Sequence, residues 1–239
     1  MRGINRAAMT NALYRTIAPG LPVLNSTIML PFDKGYVPHF RKYSYSRSAA
    51  EGLLRRNGCT KGSDGIYSCA GVGRLSFRFT STAGNQLREL AFEIIQSQLK
   101  AVGIEVKSAF GPAPHVFGTV LPSEDWDLFM FTWLGNPTSP INDVSIHGCK
   151  DAGGSQNNMN YCNRRVTRIL NQVKSEPNEA RRNRLINQAD ALIANDLPHI
   201  PLFARPGFLI HEKRFRGLLR NPTSQTDLWN VAQWWATAG

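Results

Sequence analysis

This 239-residue sequence lacks long apolar runs, low-complexity segments and a balancing number of acidic residues. No run reaches the roughly 18 apolar residues that a membrane-spanning helix requires, so the sequence predicts no such helix. Hydrophobic residues nevertheless make up 42% of the chain, which is enough to build a substantial buried core. The composition therefore indicates an ordered globular protein.

Acidic residues are few: 17 Asp and Glu stand against 28 Lys and Arg, which gives a net charge of +11. An excess of this kind is found in proteins that bind nucleic acid, anionic surfaces or acidic ligands. The basic residues fall in separate clusters, however, and most clusters fit the polar faces of predicted helices. Solvated helix surfaces are the simpler interpretation, and a basic protein that binds nucleic acid or an anionic surface is the alternative function.

Motifs of catalysis and metal binding are also missing. The sequence contains no G-x-S-x-G element, and no two histidines are four residues apart. Asp125 and Asp127 could form an acid–base pair in a hydrolase, but a turn or capping role explains them more simply. We therefore predict no enzyme activity, no cofactor and no metal site.

The four cysteines are too far apart in sequence for the closely spaced pairs of a zinc site. Cys59 and Cys69 are ten residues apart, Cys149 and Cys162 thirteen, and both intervals are rich in turn-forming residues. This spacing favours two local disulfide bonds, each worth roughly 2–4 kcal/mol. Disulfides would indicate an oxidising, extracytoplasmic location, whereas four free thiols in a cytoplasmic protein remain the other interpretation.

Hydrophobic periodicity predicts an α/β fold. Residues 74–81 alternate between apolar and polar as a half-buried strand does, residues 87–102 keep their apolar side chains on one helical face, and a second strand begins at Ile104. This order predicts a parallel strand pair with a right-handed crossover. The apolar run 127–133 predicts a third strand, buried on both faces at the centre of the sheet.

Further helices are predicted at 2–14, after the capping residue Ser46, at 164–174 and at 178–195. The first of these helices stands where a signal peptide would be, but it lacks a continuous apolar core. We therefore expect the chain to begin inside a domain, with an export signal upstream.

Four stretches, taken in order, resemble the extracellular solute-binding proteins of family 5, the oligopeptide- and dipeptide-binding type: YSYSRSAAEGLLRRNG, GIYSCAGVGRLSFRFTSTAGNQLRELAFEIIQSQLKAVGIEV, DWDLFMFTW and ADALIANDLPHIPLF. Such proteins fold as two α/β lobes joined by a hinge, the type II periplasmic-binding-protein-like fold, and enclose the ligand between the lobes. The resemblance implies that residues 1–211 form the C-terminal ligand-binding lobe, a mixed sheet flanked by helices. Residues 212–239 would return across the hinge toward an N-terminal lobe missing from this chain, which would leave Trp229, Trp234 and Trp235 partly uncovered.

The resemblance also implies a function, the capture of a peptide or another small solute for an ABC importer. The partners would be the solute, the membrane permease of the importer and the N-terminal lobe, with no nucleic acid among them. The full-length protein would be periplasmic or a cell-surface lipoprotein.

The resemblance places one wall of the ligand cleft at Trp133, Leu134, Gly135 and Asn136, where a loop leaves a sheet strand. In the family's peptide binders an aspartate shortly after the strand-terminal tryptophan holds the amino group of the ligand, and Asn136 stands at about that position. Because Asn carries no charge, a standard peptide with a free amino terminus is disfavoured as the ligand. Core packing by Trp133 and a turn at Asn136 form the simpler alternative.

Arg205 is the remaining candidate for ligand binding. It lies where an apolar run ends, immediately before Pro206. Its guanidinium could pair with an anionic group of the ligand, or it could form a salt bridge beside the hinge. The sequence favours neither role.

Overall fold

Helices make up most of the regular structure in residues 1–16, 18–133, 141–221 and 227–237, which the computed structural model describes. The α-helices are α1 (Arg6–Tyr14), α2 (Arg47–Arg56), α3 (Gln86–Ala101), α4 (Ala113–His115), α5 (Leu121–Ser123), α6 (Ile141–His147), α7 (Arg164–Ser175) and α8 (Glu179–Asp196). The strands are β1 (Cys59–Lys61), β2 (Tyr67–Cys69), β3 (Gly73–Arg74), β4 (Ser76–Thr82), β5 (Glu105–Gly111), β6 (Leu128–Phe129), β7 (Phe215–Arg216) and β8 (Trp235–Ala236). Short 3₁₀ turns lie at His39–Lys42, Lys150–Ala152 and Asp227–Gln233, and Val116–Val120 forms a π-helical turn. None of the described helices is both long enough and apolar enough to cross a membrane.

The chain divides into two units. The first contains Met1–Phe131 and Ile141–Ala204, and the second contains Thr132–Pro140 and Arg205–Gly239. Helices α1–α8 and strands β1–β6 therefore belong to the first unit, and β7 and β8 to the second. The assignment of residues 1–211 to a ligand-binding lobe and of 212–239 to a returning segment stays a prediction.

The predicted strand–helix–strand unit is confirmed. Strands β4 and β5 are parallel and in register from Ser76–Glu105 to Thr82–Gly111, and α3 connects them. The core forms because α3 turns one apolar face to this pair. Phe92 of that face lies 5.2 Å from the ring of Phe79 on β4 and 5.3 Å from the ring of Phe110 on β5, between ring centroids. Helix α1 covers the same core with Met9 and Leu13.

The third predicted strand is shorter than expected and lies elsewhere in the sheet. Only Leu128 and Phe129 pair with β4, so the strand order is β5–β4–β6 and β6 is half-buried at an edge. The strand buried at its carboxyl end on both faces is β4, where Thr80 and Ser81 are buried. Polar side chains are tolerated there because neighbours satisfy them: the Ser81 hydroxyl donates to the Met130 carbonyl oxygen at 2.7 Å.

A small antiparallel sheet, β1–β2–β3, packs beside the turn that leads from α3 to β5. The Tyr67 N–H donates to the Gly103 carbonyl oxygen at 2.8 Å. Gly103 has φ +84°, and a Cβ at this position would lie 2.5 Å from the ring of Tyr67. Both the backbone conformation and the close approach therefore require glycine at this position.

The helices predicted at 164–174 and 178–195 are confirmed as α7 and α8. They form a second core with the 3₁₀ turn at His39–Lys42. The side chains of Asn163 and Asn178 cap the two helices by accepting from backbone N–H groups of their first turns. Phe40 is fully buried in this core, so part of the long irregular segment 18–45 covers the two helices.

Both predicted disulfide bonds are present. Cys59–Cys69 joins β1 to β2, with the two Cα atoms 4.0 Å apart. Cys149–Cys162 closes the loop between α6 and α7, with the Cα atoms 4.5 Å apart. All four cysteines are therefore bonded, and the interpretation as free thiols is wrong.

In the second unit, β7 and β8 form an antiparallel pair. Two of the three tryptophans expected to be uncovered are exposed, Trp229 at 52% and Trp235 at 58%. Trp234 is half-buried, and its indole N–H donates to the side-chain oxygen of Asn230 at 2.9 Å.

Candidate ligand-binding site

The predicted cleft wall follows the last strand of the parallel sheet along the chain. Strand β6 leads along the chain to the predicted cleft wall, and Trp133, four residues beyond the strand, is 40% exposed. Leu134, Gly135 and Asn136, which carry most of the cleft prediction, lie outside the described residues. Ligands of open α/β sheets bind beyond the carboxyl ends of the strands, and the predicted wall follows the carboxyl end of β6.

Arg205 is exposed and, within the described part of the chain, forms no ion pair. It is the first residue of the C-terminal segment of the second unit, and Trp133 belongs to the N-terminal segment of the same unit. The fold therefore brings the two candidate segments into one unit although they are far apart in the sequence.

An aromatic cluster beside β6 was not foreseen from the sequence. Phe129 lies 5.4 Å from Trp126, 5.5 Å from Phe131 and 6.3 Å from Phe117, measured between ring centroids. Phe117 is partly exposed and comes from the π-helical turn between α4 and α5. Its position could not be read from helical periodicity, because a π turn rotates side chains away from the positions that a regular helix gives them.

Asp125 and Asp127, considered above as an acid–base pair, are bound to one arginine. Arg78 of β4 donates to Asp125 at 2.7 Å and to Asp127 at 3.2 Å through its side chain, and its backbone N–H also donates to Asp127. These hydrogen bonds lower the pKa of both carboxyl groups below their usual value. The two aspartates thus hold the start of β6 against β4 through Arg78, in place of the turn or capping role favoured from the sequence.

Two carboxyl groups, one buried and one half-buried, interact near the start of α6. Asp190 of α8 is buried, and its Oδ1 accepts from the backbone N–H and the hydroxyl of Thr27, at 2.9 and 2.8 Å. Its Oδ2 is buried and accepts no hydrogen bond among the described residues, with the Ser26 hydroxyl nearby. Burial raises the pKa of Asp190 in spite of these bonds. For Asp143 of α6, desolvation and the charge of Asp190 raise the pKa to about 7.

Two histidines are packed together at the other end of α6. The rings of His147 and His199 meet edge to face, with centroids 4.9 Å apart. Desolvation lowers the pKa of His199 to about 4, and desolvation together with His199 lowers the pKa of His147 well below its usual value. The two rings are therefore neutral and join α6 to the segment after α8.

A buried arginine ties the irregular segment to α1. The guanidinium of Arg6 donates to the carbonyl oxygens of Leu24 and Pro201, at 2.5 and 2.8 Å, and to the side chain of Asn25 at 3.1 Å. Burial lowers its pKa to about 10. No sequence pattern marks Arg6 as buried, because the three groups that accept from it come from distant parts of the chain.

One feature of the sequence could have indicated the titratable side chains of α6. Asp143 and His147 are four residues apart. This spacing places two titratable side chains on one helical face. Among the described residues, however, no group of three His, Cys, Asp or Glu side chains has the geometry of a metal site. The spacing of Asp143 and His147 therefore marks one face of α6 that packs against the rest of the protein, and not a metal site.

Comparisons with known proteins relate this chain to binding proteins. The family model described as bacterial extracellular solute-binding proteins, family 5 middle region, matches residues 2–154. The oligopeptide-binding protein AppA of Bacillus subtilis is 26% identical over 81% of this chain and 35% of its own length. The di/tripeptide-binding protein 2 of Pseudomonas aeruginosa is 24% identical over 84% of this chain and 36% of its own length.

The solved structures give the same relationship. The oligopeptide-binding protein of Thermus thermophilus, solved with a pentapeptide, superposes with a TM-score of 0.74 and 27% identity, over 85% of this chain and 36% of that chain. The type II binding-protein fold predicted from the sequence is therefore confirmed. This chain spans about a third of the length of the relatives it matches.

Proposed function

The chain belongs to family 5 of the bacterial extracellular solute-binding proteins, and from that premise we propose that it forms the C-terminal ligand-binding lobe of a solute-capture protein of an ABC importer. Its work is to bind a peptide or another small solute outside the cytoplasm and to deliver it to a membrane permease. The membership in the family is the observation that carries the proposal. The two disulfide bonds support the extracytoplasmic location, because such bonds persist in oxidising compartments.

The proposed role is binding without bond-making chemistry. The acidic pair that came nearest to a catalytic pattern, Asp125 and Asp127, is held in ion pairs with Arg78. The histidine pair is desolvated and neutral. These side chains stabilise the fold around the sheet.

The ligand is proposed to contact Trp133, Leu134, Gly135 and Asn136, with Arg205 available for an anionic group. An exposed tryptophan offers a large apolar surface to a ligand, and an exposed arginine without an ion-pair partner in the described residues offers two parallel hydrogen bonds to a carboxylate. Asn136 supplies no negative charge. This combination favours a solute with an anionic or neutral group at this wall over a peptide anchored by its ammonium group.

The substitution Asn136→Asp tests this specificity. We expect it to strengthen the binding of peptides with a free amino terminus by at least about tenfold, because a carboxylate would then face the ammonium group. Isothermal titration of the chain with a peptide and with its N-acetylated form measures the effect. The acetylated peptide is the matched control, and its affinity should not change.

A second measurement addresses the lobe assignment. A ligand enclosed by two lobes loses about half of its contacts when only one is present, so the chain alone should bind its solute weakly. Nanomolar affinity of the chain alone would contradict the assignment. An equal response of free and acetylated peptides to Asn136→Asp would contradict only the role of residue 136.

A further inference from the structure

Helix α7 carries an exposed face whose charged residues are all basic. Arg164, Arg165, Arg168 and Lys174 are all exposed, and the other exposed positions of the helix are the neutral residues Asn171, Gln172 and Ser175. The helix contains no acidic residue. We call this surface, residues 164, 165, 168, 171, 172, 174 and 175, the α7 face.

Most of this charge is not neutralised by the residues that the structure describes. Arg164 pairs with Asp151 through two hydrogen bonds, at 3.0 and 2.5 Å. Within the described residues, Arg165, Arg168 and Lys174 form no ion pair. On α2, by contrast, Arg47 and Arg55 both pair with Glu51.

The position of the arginines costs folding stability. Arg164 and Arg165 occupy the first turn of α7, where the helix dipole is positive and favours acidic side chains. Like charges four residues apart, as Arg164 and Arg168 are, also repel each other. Arg165 and Arg168 have no ion pair within the described residues to offset this cost. A local arrangement that opposes stability in this way is typical of a surface kept for binding.

The shape and composition of the α7 face indicate the kind of partner. A shallow groove of about 530 Å³ follows the helix and is lined by Arg164, Arg168, Gln172 and Ser175 among others. The face has no exposed apolar side chain, whereas protein partners are usually held by an apolar centre with aromatic anchors. Arginines recognise phosphate groups through paired hydrogen bonds. The partner should therefore present many phosphates and require no apolar contact.

We propose that the α7 face binds the phosphate headgroups of an anionic lipid bilayer and holds the protein against the membrane surface. The choice of a bilayer over nucleic acid rests on the proposed function, because a solute-capture protein outside the cytoplasm works beside a membrane. Each arginine near an anionic bilayer is worth about fivefold in partition. The contact is electrostatic and should weaken when salt shortens the Debye length.

The test is co-sedimentation of the chain with vesicles. We expect the protein to bind mixed phosphatidylglycerol–phosphatidylcholine vesicles at low salt and not pure phosphatidylcholine vesicles. The triple variant R164Q/R165Q/R168Q should bind at least about tenfold less. The variant R47Q/R55Q/R56Q on α2 removes the same charge elsewhere and should keep the affinity of the wild-type protein.

One further variant and one further measurement keep the result interpretable. R164K/R165K/R168K retains the charge and should retain binding, and thermal unfolding followed by circular dichroism should show that the glutamine variant is folded. The proposal is overturned if anionic vesicles do not bind the wild-type protein, if both glutamine variants lose binding equally, or if a DNA duplex displaces the vesicles at equal phosphate concentration. The peptide titrations described above do not involve α7, so their failure would concern the proposed function alone.

Discussion

Two desolvated carboxyl groups, Asp143 and Asp190, make the stability of this protein depend on pH. Asp143 and Asp190 are close enough for the charge of one to raise the pKa of the other. Asp190 is partly compensated by its bonds to Thr27, whereas Asp143 accepts no hydrogen bond from the described residues. In a chain with 28 basic residues, a desolvated carboxyl group without a basic partner is unusual.

Asp143→Asn should stabilise the protein at high pH only. The folded-state pKa of about 7 lies above the unfolded value of 3.8, so the folded protein binds the proton more tightly. Stability therefore falls as the pH rises from the unfolded to the folded pKa, and the variant escapes this loss. We expect a gain of up to about 4 kcal/mol at about pH 8 and little gain near pH 4.

Denaturant unfolding at several pH values measures this difference. The exposed residue Glu93 provides the control, because Glu93→Gln removes a carboxylate from the surface and should change stability little. A stabilisation by Asp143→Asn of the same size at low and high pH would show that packing, and not ionisation, explains the effect.

At the scale of helices and strands, the sequence predicted where the elements lie along the chain better than it predicted which of them are buried. The periodic helix α3 and the capping role of Ser46 are confirmed, because both depend on residues close together in sequence. Strand burial depends on which strands become neighbours. The alternating strand β4 lies at the centre and the apolar strand β6 at the edge, since β4 is paired on both sides. No local pattern contains that information.

The helix dipole provides a prediction for α7. Arg165→Glu should raise the free energy of unfolding by about 0.5–1 kcal/mol, because it places a negative charge at the positive end of the helix. Arg165 has no ion pair to lose within the described residues. Lys174→Glu, at the other end of the same helix, is the matched control and should lower stability by a similar amount.

Thermal or urea unfolding at low and high salt measures both variants, and salt should reduce both effects. If Arg165→Glu is neutral at low salt, the arginines of the first turn have no stability cost. The argument that they are kept for binding would then lose one of its supports, while the vesicle experiment would still decide the proposal itself.

At the scale of the whole molecule, the sequence resemblance predicted the fold class. It did not predict which distant segments of the chain would form one unit. The segment Thr132–Pro140 joins Arg205–Gly239 in one unit, although the sheet that leads to it belongs to the other unit. Helix and strand signals describe a segment by its own residues, so they could not indicate this grouping. The exposed tryptophans were foreseen, because the resemblance implied a surface that another lobe would cover.

These tryptophans lead to the last prediction. Trp235 is 58% exposed and stands opposite Arg216 in the β7–β8 pair, so its ring contributes apolar surface to solvent and little to packing. Trp235→Ser should therefore reduce the binding of a hydrophobic dye and leave unfolding unchanged within about 0.5 kcal/mol. Trp234→Ser is the contrasting variant. It removes a half-buried ring whose indole bonds to the buried residue Asn230, and it should destabilise the second unit by about 1–3 kcal/mol.

Dye fluorescence and urea unfolding, measured on both variants, separate the two roles. Apolar side chains of a surface that a partner covers are exposed in the free chain, so their removal does not lower its stability. Removal of side chains that pack within the unit does lower its stability. If Trp235→Ser destabilises the protein as much as Trp234→Ser, the exposed ring is part of the packing of this unit. The proposal that this segment completes another lobe would then lose its energetic basis.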